Sequence, residues 1–334
     1  MVSDITLGRR DFIRLSLLTA VLSLTGCSFS SGRPTVGLAK GLLPREFLQA
    51  LPSPWRYELL DDFSENDFHK LTLRKNPDLI VLGDGWLRNF PYEKYQPIQA
   101  DILYNKLSNQ AISFLDSFKP TVSSRLFPVA VSPWVLIFRG GEELLSRAGE
   151  SWETLLDPSL RGQVVLPSSS RVIMALAERM GDKDALRRLR SQAKSFDDKN
   201  GLNWLLSGRA KVAVLPLQFC LSSLASDPRL TIVFPKEGSP LNWTLLMQSN
   251  SSLQSFPLSW IQQTWKMPLL LKLLSRGIMP PVPYSDLSMA IESLPERYRL
   301  IYQSEEKLSN CWSLKPLTND EEQLLETRWL NSAP

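Results

Sequence analysis

Histidine is almost missing from this chain: His69 is the only one among 334 residues. A serine or cysteine hydrolase needs a base, usually histidine, held in place by a third group. His69 lies in the polar stretch Asn66-Asp67-Phe68-His69-Lys70 with no nucleophile beside it, which speaks against that chemistry. Cysteine is sparse as well, at three. Beyond Cys27 only Cys220 and Cys311 remain, and with no histidine near either they form no zinc site. An oxidising compartment would permit one Cys220–Cys311 disulfide; two buried free thiols are the alternative. No Lys/Arg block is long enough for a nucleic-acid footprint, and no basic run is interleaved with stacking aromatics. The net charge of +4 overstates the basic character, because Arg9, Arg10 and Arg14, offset by Asp4, supply part of it. Long apolar runs are lacking too. The most uninterrupted, Leu15–Gly26, has 12 residues, against the roughly 20 of a membrane-spanning helix.

What is present begins at the amino end. Arg9-Arg10-Asp11-Phe12-Ile13-Arg14 is a twin-arginine signature, and the apolar run follows it. Leu24-Thr25-Gly26-Cys27 closes that run with small residues before a cysteine, in the manner of a bacterial lipobox. A charged start, an apolar middle and a small-residue cleavage site make a secretory signal peptide. Residues 1–26 are therefore expected to be a twin-arginine lipoprotein signal peptide, with Cys27 as the lipidation site and 27–34 as a lipidated tether. The expected location is the periplasm, on a membrane through a lipid anchor.

The remainder is 43% apolar and 22% charged over the whole chain, a globular composition long enough for two lobes. Strands are expected at Thr35–Leu38, Trp55–Leu60 and Asp78–Leu82, separated by helices over Leu42–Leu51 and Ser64–Leu73. The near-continuous apolar run at Asp78–Leu82 marks a buried strand in a parallel sheet, and the alternating rhythm an α/β lobe. Ser132-Pro133 interrupts two apolar runs between Phe127 and Phe138, which predicts a bend or crossover. Further expectations are helices over Arg171–Met180 and Leu186–Lys194 and one long apolar helix over Leu258–Leu274. Strands are expected at Gln163–Leu166, Lys211–Leu215, Leu230–Phe234 and Trp243–Met247.

Five segments in order resemble the substrate-binding proteins of ABC transporters, within them the spermidine/putrescine-binding group. They are Pro77–Leu87, Phe127–Trp134, Ser151–Val164, Leu206–Val214 and Phe234–Pro240, of which Ser151–Val164 is the most specific. The resemblance implies an α/β fold of the periplasmic binding protein type II class, with two lobes joined by crossover strands around a ligand cleft. Lobe one is expected at 35–130 plus about 245–283, and lobe two at 131–244 plus about 284–334. It further implies a monomeric, non-enzymatic lipoprotein without cofactor or metal. Such a protein carries a small polar solute, polyamine-like by family, to an ABC permease in the inner membrane.

Ligands in such sheets bind at the carboxyl ends of strands. Asp84 and Trp86 follow an apolar strand, whereas Ser169 and Arg171 open a helix whose amino end favours a carboxylate or phosphate. Trp134 lies near the expected hinge, Gln218 follows a strand, and Trp243 marks a second crossover, so these complete the candidate ligand set. A polyamine needs carboxylates for its ammonium groups and aromatic faces for its methylenes. The acids of the polyamine group fall here on Ser169, Val172 and Leu245, and its early aromatics on Ala39 and Leu42. Asp84 is the one acid at a cleft loop. This departure supports an alternative, a scaffold or assembly lipoprotein that keeps the fold without small-ligand transport. Ferric binding would need tyrosinate ligands, for which Tyr92 and Tyr95 are the nearest pair.

Overall fold

In the computed structural model the residues described are 33–60, 76–87, 90–302 and 305–334. The arginine pair Arg9-Arg10, the apolar run, Cys27, most of the tether, the helix expected over Ser64–Leu73 and His69 lie outside them.

Eleven strands are present among the described residues: β1 Thr35–Ala39, β2 Arg56–Leu60, β3 Leu79–Gly83, β4 Tyr95–Gln96, β5 Phe127–Arg139 and β6 Val164–Leu166; then β7 Ala193–Phe196, β8 Val212–Pro216, β9 Leu230–Val233, β10 Pro240–Ser249 and β11 Trp312–Ser313. The helices that matter here are α1 Arg45–Gln49, α2 Asn109–Asp116, α3 Ser170–Arg179, α4 Ala185–Gln192 and α5 Leu258–Thr264; then α6 Leu269–Leu274, α7 Tyr284–Glu292, α8 Glu296–Tyr302 and α9 Asn319–Asn331. The first sheet runs β2-β1-β3-β10-β5, with β1 parallel to both β2 and β3, and β10 antiparallel to both β3 and β5. The second runs β5-β8-β6-β7, with β6 parallel to both β8 and β7. All five residues of β3 are buried, as an apolar strand covered on both faces requires.

β5 belongs to both sheets. Pro133 pairs with Leu241 of β10, and the next residue, Trp134, pairs with Pro216 of β8. The expected break at Ser132-Pro133 is thus a change of partner within one 13-residue strand. Side chains alternate across β5 as the pleat demands. Val135 and Ile137 join the larger core, and Trp134, Leu136 and Phe138 join the smaller one under α3 and α4. The larger core carries the first sheet, where Phe47 of α1 meets Trp260 of α5 edge-on at 5.1 Å and the indole donates to the Phe47 carbonyl at 2.9 Å.

The lobe boundaries differ from those expected. α7 and α8 stay with the first-sheet core: Leu287, Ala290, Ile291 and Ile301 are buried there, and the Tyr302 hydroxyl donates to the Leu274 carbonyl at 2.7 Å. β10 pairs with the first sheet from Leu241 onward. Only the chain after α8 crosses back. β11 pairs with the start of β10, and α9 lies on α3 and α4. Thr35–Pro334 is one compact unit. Gly238 makes this third crossing possible, since at φ +86° it brings its backbone against Asn310, where a Cβ would collide with the carbonyl.

Two helix expectations need correction. Leu258–Leu274 is not one helix but α5 and α6, because Pro268 lacks an N–H and stops the run. The helix expected to Lys194 ends at Gln192, and β7 begins at once. Cys220 and Cys311 are free and buried, the second of the two alternatives.

Candidate ligand-binding site

The carboxyl ends of β3 and β8 reach the crossover strands side by side, through the pairs Gly83–Thr244 and Pro216–Trp134. Asp84 leaves β3 there and opens a short turn, Asp84–Trp86. Its carboxylate accepts the N–H groups of Trp243, Gly85 and Asp84 itself. Burial pushes the carboxyl up to about 7, against the opposing pull of Arg171 and those amides. Some of the residue's surface stays open, so the water is displaced by the surrounding crossover rather than by a sealed pocket.

Arg171 comes from the other sheet, in the first turn of α3. Burial lowers its pKa, while Asp84, Glu322 and Glu321 favour its charged form. A lobe-one acid and a lobe-two base therefore act on each other across the crossover, and the first turn of α9 adds two more acids.

The other sequence candidates are placed differently. Ser169 is spent as the cap of α3, its Oγ accepting the Val172 N–H at 3.4 Å. Ser168 is tied to Asp198 through its N–H at 3.0 Å and its hydroxyl. The serine loop expected to take an anion thus satisfies its own polar groups. Trp134, 5% exposed, packs in the smaller core, and its carbonyl accepts the Ser239 hydroxyl. Trp243 is 1% exposed and stacks on Phe114 at 4.9 Å, with its indole donating to Ser313 Oγ at 2.9 Å. Neither tryptophan offers an open face to a ligand in this arrangement. Trp86 is half-buried against the larger core. Gln218 donates its backbone N–H to Ser132 Oγ at 3.0 Å, and its side-chain Nε2 is buried without a partner. Tyr92 and Tyr95 cluster with Phe90 rather than lining a surface loop, and burial raises each phenol to about 12, which disfavours tyrosinate.

Sequence reasoning missed Thr244, Glu321 and Glu322. Thr244 is 1% exposed, flanked in the sheet by Gly83 and Ala130, and its hydroxyl has no partner. Strand alternation puts Thr244, Asn242, Ala130 and Ser132 on one face, the face that Gln218 touches. The opposite face, with Trp243, borders a cavity of about 350 Å3 lined by Ser108, Gln110, Val131, Val282 and Tyr284. No local signal marked Thr244: a threonine among apolar strand residues reads as core.

The model of the family "bacterial extracellular solute-binding protein" matches residues 75–255, more than half of the chain and all of the region just described. The chain belongs to that family. Among curated proteins, none matches. This solute-binding protein is similar in fold to the spermidine/putrescine ABC transporter substrate-binding protein PotD of Streptococcus pneumoniae. The TM-score is 0.65 at 13% identity, over 90% of this chain and 98% of that one. It is similar also to the PotD lipoprotein of Treponema pallidum, with TM-score 0.63 at 13% identity over 90% and 99%. The ferric binding protein of Campylobacter jejuni gives 0.59 at 12% identity over 81% and 96%. At these identities the likeness is one of fold, that of periplasmic binding proteins. The family is one of transport binding proteins and not an enzyme class. Among the described residues no helix is long and apolar enough to cross a membrane.

Proposed function

We propose that this chain is an extracytoplasmic solute-binding lipoprotein that holds a small polar solute at the crossover and delivers it to an ABC permease. The observation carrying the reading is the pairing of Asp84, from the first sheet, with Arg171, from the second. A solute bound between these groups is grasped by both sheets at once, so binding favours the closed form. Thr244 Oγ1 and Gln218 Nε2, both buried without partners, add neutral hydrogen-bonding groups on the neighbouring face. The twin-arginine signature and Cys27 supply export and a lipid anchor in this reading. The neighbours' printed ligands, polyamines and iron, leave the solute open.

Calorimetric titration of the full chain with amino acids, sugars, phosphorylated metabolites and polyamines tests the proposal. One solute is expected to give saturable heat, weakened about 10- to 100-fold in Asp84→Ala, the range for losing a charged hydrogen bond. The scaffold reading draws on the burial of Trp134 and Trp243 and the self-satisfied serine loop. It is favoured if the whole panel is silent and a stable protein partner co-purifies.

A further inference from the structure

We propose that Arg171 is a built-in cation: its guanidinium fills the place in the cleft that a ligand's ammonium group would take, so the cleft rejects polyamines. The inference rests on the solute-binding reading of the same cleft and names what that cleft excludes.

The geometry of two helices carries it. α3 and α9 lie together, and at their carboxyl ends Arg328 Nη1 meets Glu178 Oε1 at 2.9 Å. Seven residues earlier on each helix, two turns and about 10 Å back, stand Arg171 and Glu321. The same offset therefore brings the second base to the second acid. Glu321 is held in place by a capping box: its Oε2 accepts the Thr318 N–H at 2.7 Å and the Thr318 hydroxyl at 2.9 Å. Asp84, anchored on the Trp243 amide, faces Arg171 from the first sheet. Carboxylates from both sides thus converge on one guanidinium.

That guanidinium sits where helix physics does not want it. The amino end of a helix carries positive partial charge, and a cation in the first turn is disfavoured. α3 has no acid in that turn to compensate. Compensation comes from outside the helix, from Asp84 and from the first turn of α9. A cation ringed by acids recruited from distant parts of the chain is how a cationic ligand would be held, with the ligand here supplied by the chain itself.

Titration with putrescine of the full-chain wild type, Arg171→Met and Arg171→Lys tests this. Wild type and Arg171→Lys, which keep the charge, are expected to stay silent. Arg171→Met, its fold checked by thermal melting, is expected to bind at least about 100-fold more tightly, the order of effect of removing a like charge from a binding site. If the methionine variant does not fold, Arg171→Gln takes its place. Wild-type binding as tight as that of the neutral variant overturns the inference, and so does silence of a folded neutral variant. Gain in the neutral variant beside a wild type that answers no solute would uphold the inference and sink the transport reading, so the two fail separately.

Discussion

Asp84 is an acid whose folded form holds its proton more tightly than the unfolded chain does. Its carboxyl rises from 3.8 to about 7 because burial outweighs the attraction of Arg171 and three amides. For a raised acid the sign is fixed: its contribution to stability is fully present below about pH 4 and is lost as pH climbs through about 7. The loss is at most about 4 kcal/mol, and less where Arg171 follows the charge. Melting temperatures of wild type and Asp84→Asn, measured from pH 4 to pH 8, are expected to diverge, with wild type falling relative to the variant as pH rises. Parallel curves would show that the carboxyl is well solvated. Asp84 was legible in the sequence because an acid right after an apolar strand is out of keeping with the core. Its partners were not. Thr244 acquires meaning only when Gly83 and Ala130 flank it, and Glu321 only when α9 lies on α3. These are pairings between segments far apart in sequence, and no local pattern encodes them.

At the scale of elements, local chemistry explains what could be read. Pro133 marked the crossover because proline cannot donate to a ladder, and the apolar run of β3 marked a covered strand. β7 was missed because it has four residues, two of them exposed, and owes its existence to β6. α7 and α8 were assigned to the wrong lobe because an amphipathic helix shows that it has a buried face but not what covers it. α9 is an extreme case, with no buried residue of its own. It is docked by Trp329, which lies under the Arg190 guanidinium at 3.9 Å and meets Phe196 edge-on at 5.7 Å, and by Arg190 donating to Ser332 Oγ at 2.7 Å. The exposed Arg328–Glu178 pair adds at most about 1 kcal/mol. Trp329→Ala should therefore release the helix without unfolding the protein. Hydrogen exchange is expected to rise over Asn319–Asn331 while β3 and β5 stay protected. Unchanged protection of α9 would mean that the Trp329 contacts do not hold it.

The whole molecule is a pair of sheets threaded by three crossings, at β5, at the start of β10 and at β11. Backbone pairing at the crossings holds the sheets to one hinge, but the Asp84–Arg171 contact lies between loop and helix end, where only side chains join the two sides. Opening a cleft there breaks that attraction and little of the sheet. The two tryptophans nearest the hinge would move as part of their own lobes, Trp134 with the smaller core and Trp243 with Phe114. The charge contact is therefore expected to bias the closed form by itself. The 300 residues of Thr35–Pro334 form one compact unit, for which a radius of gyration of about 19 Å is expected. In small-angle scattering, Asp84→Ala should shift the ensemble to a larger radius than wild type, and added salt should do the same to wild type by screening the half-open pair. A solute that spans both sheets should return the variant towards the wild-type value. Identical profiles for wild type and variant at low and high salt would show that closure rests on the apolar packing of the crossings and not on this pair.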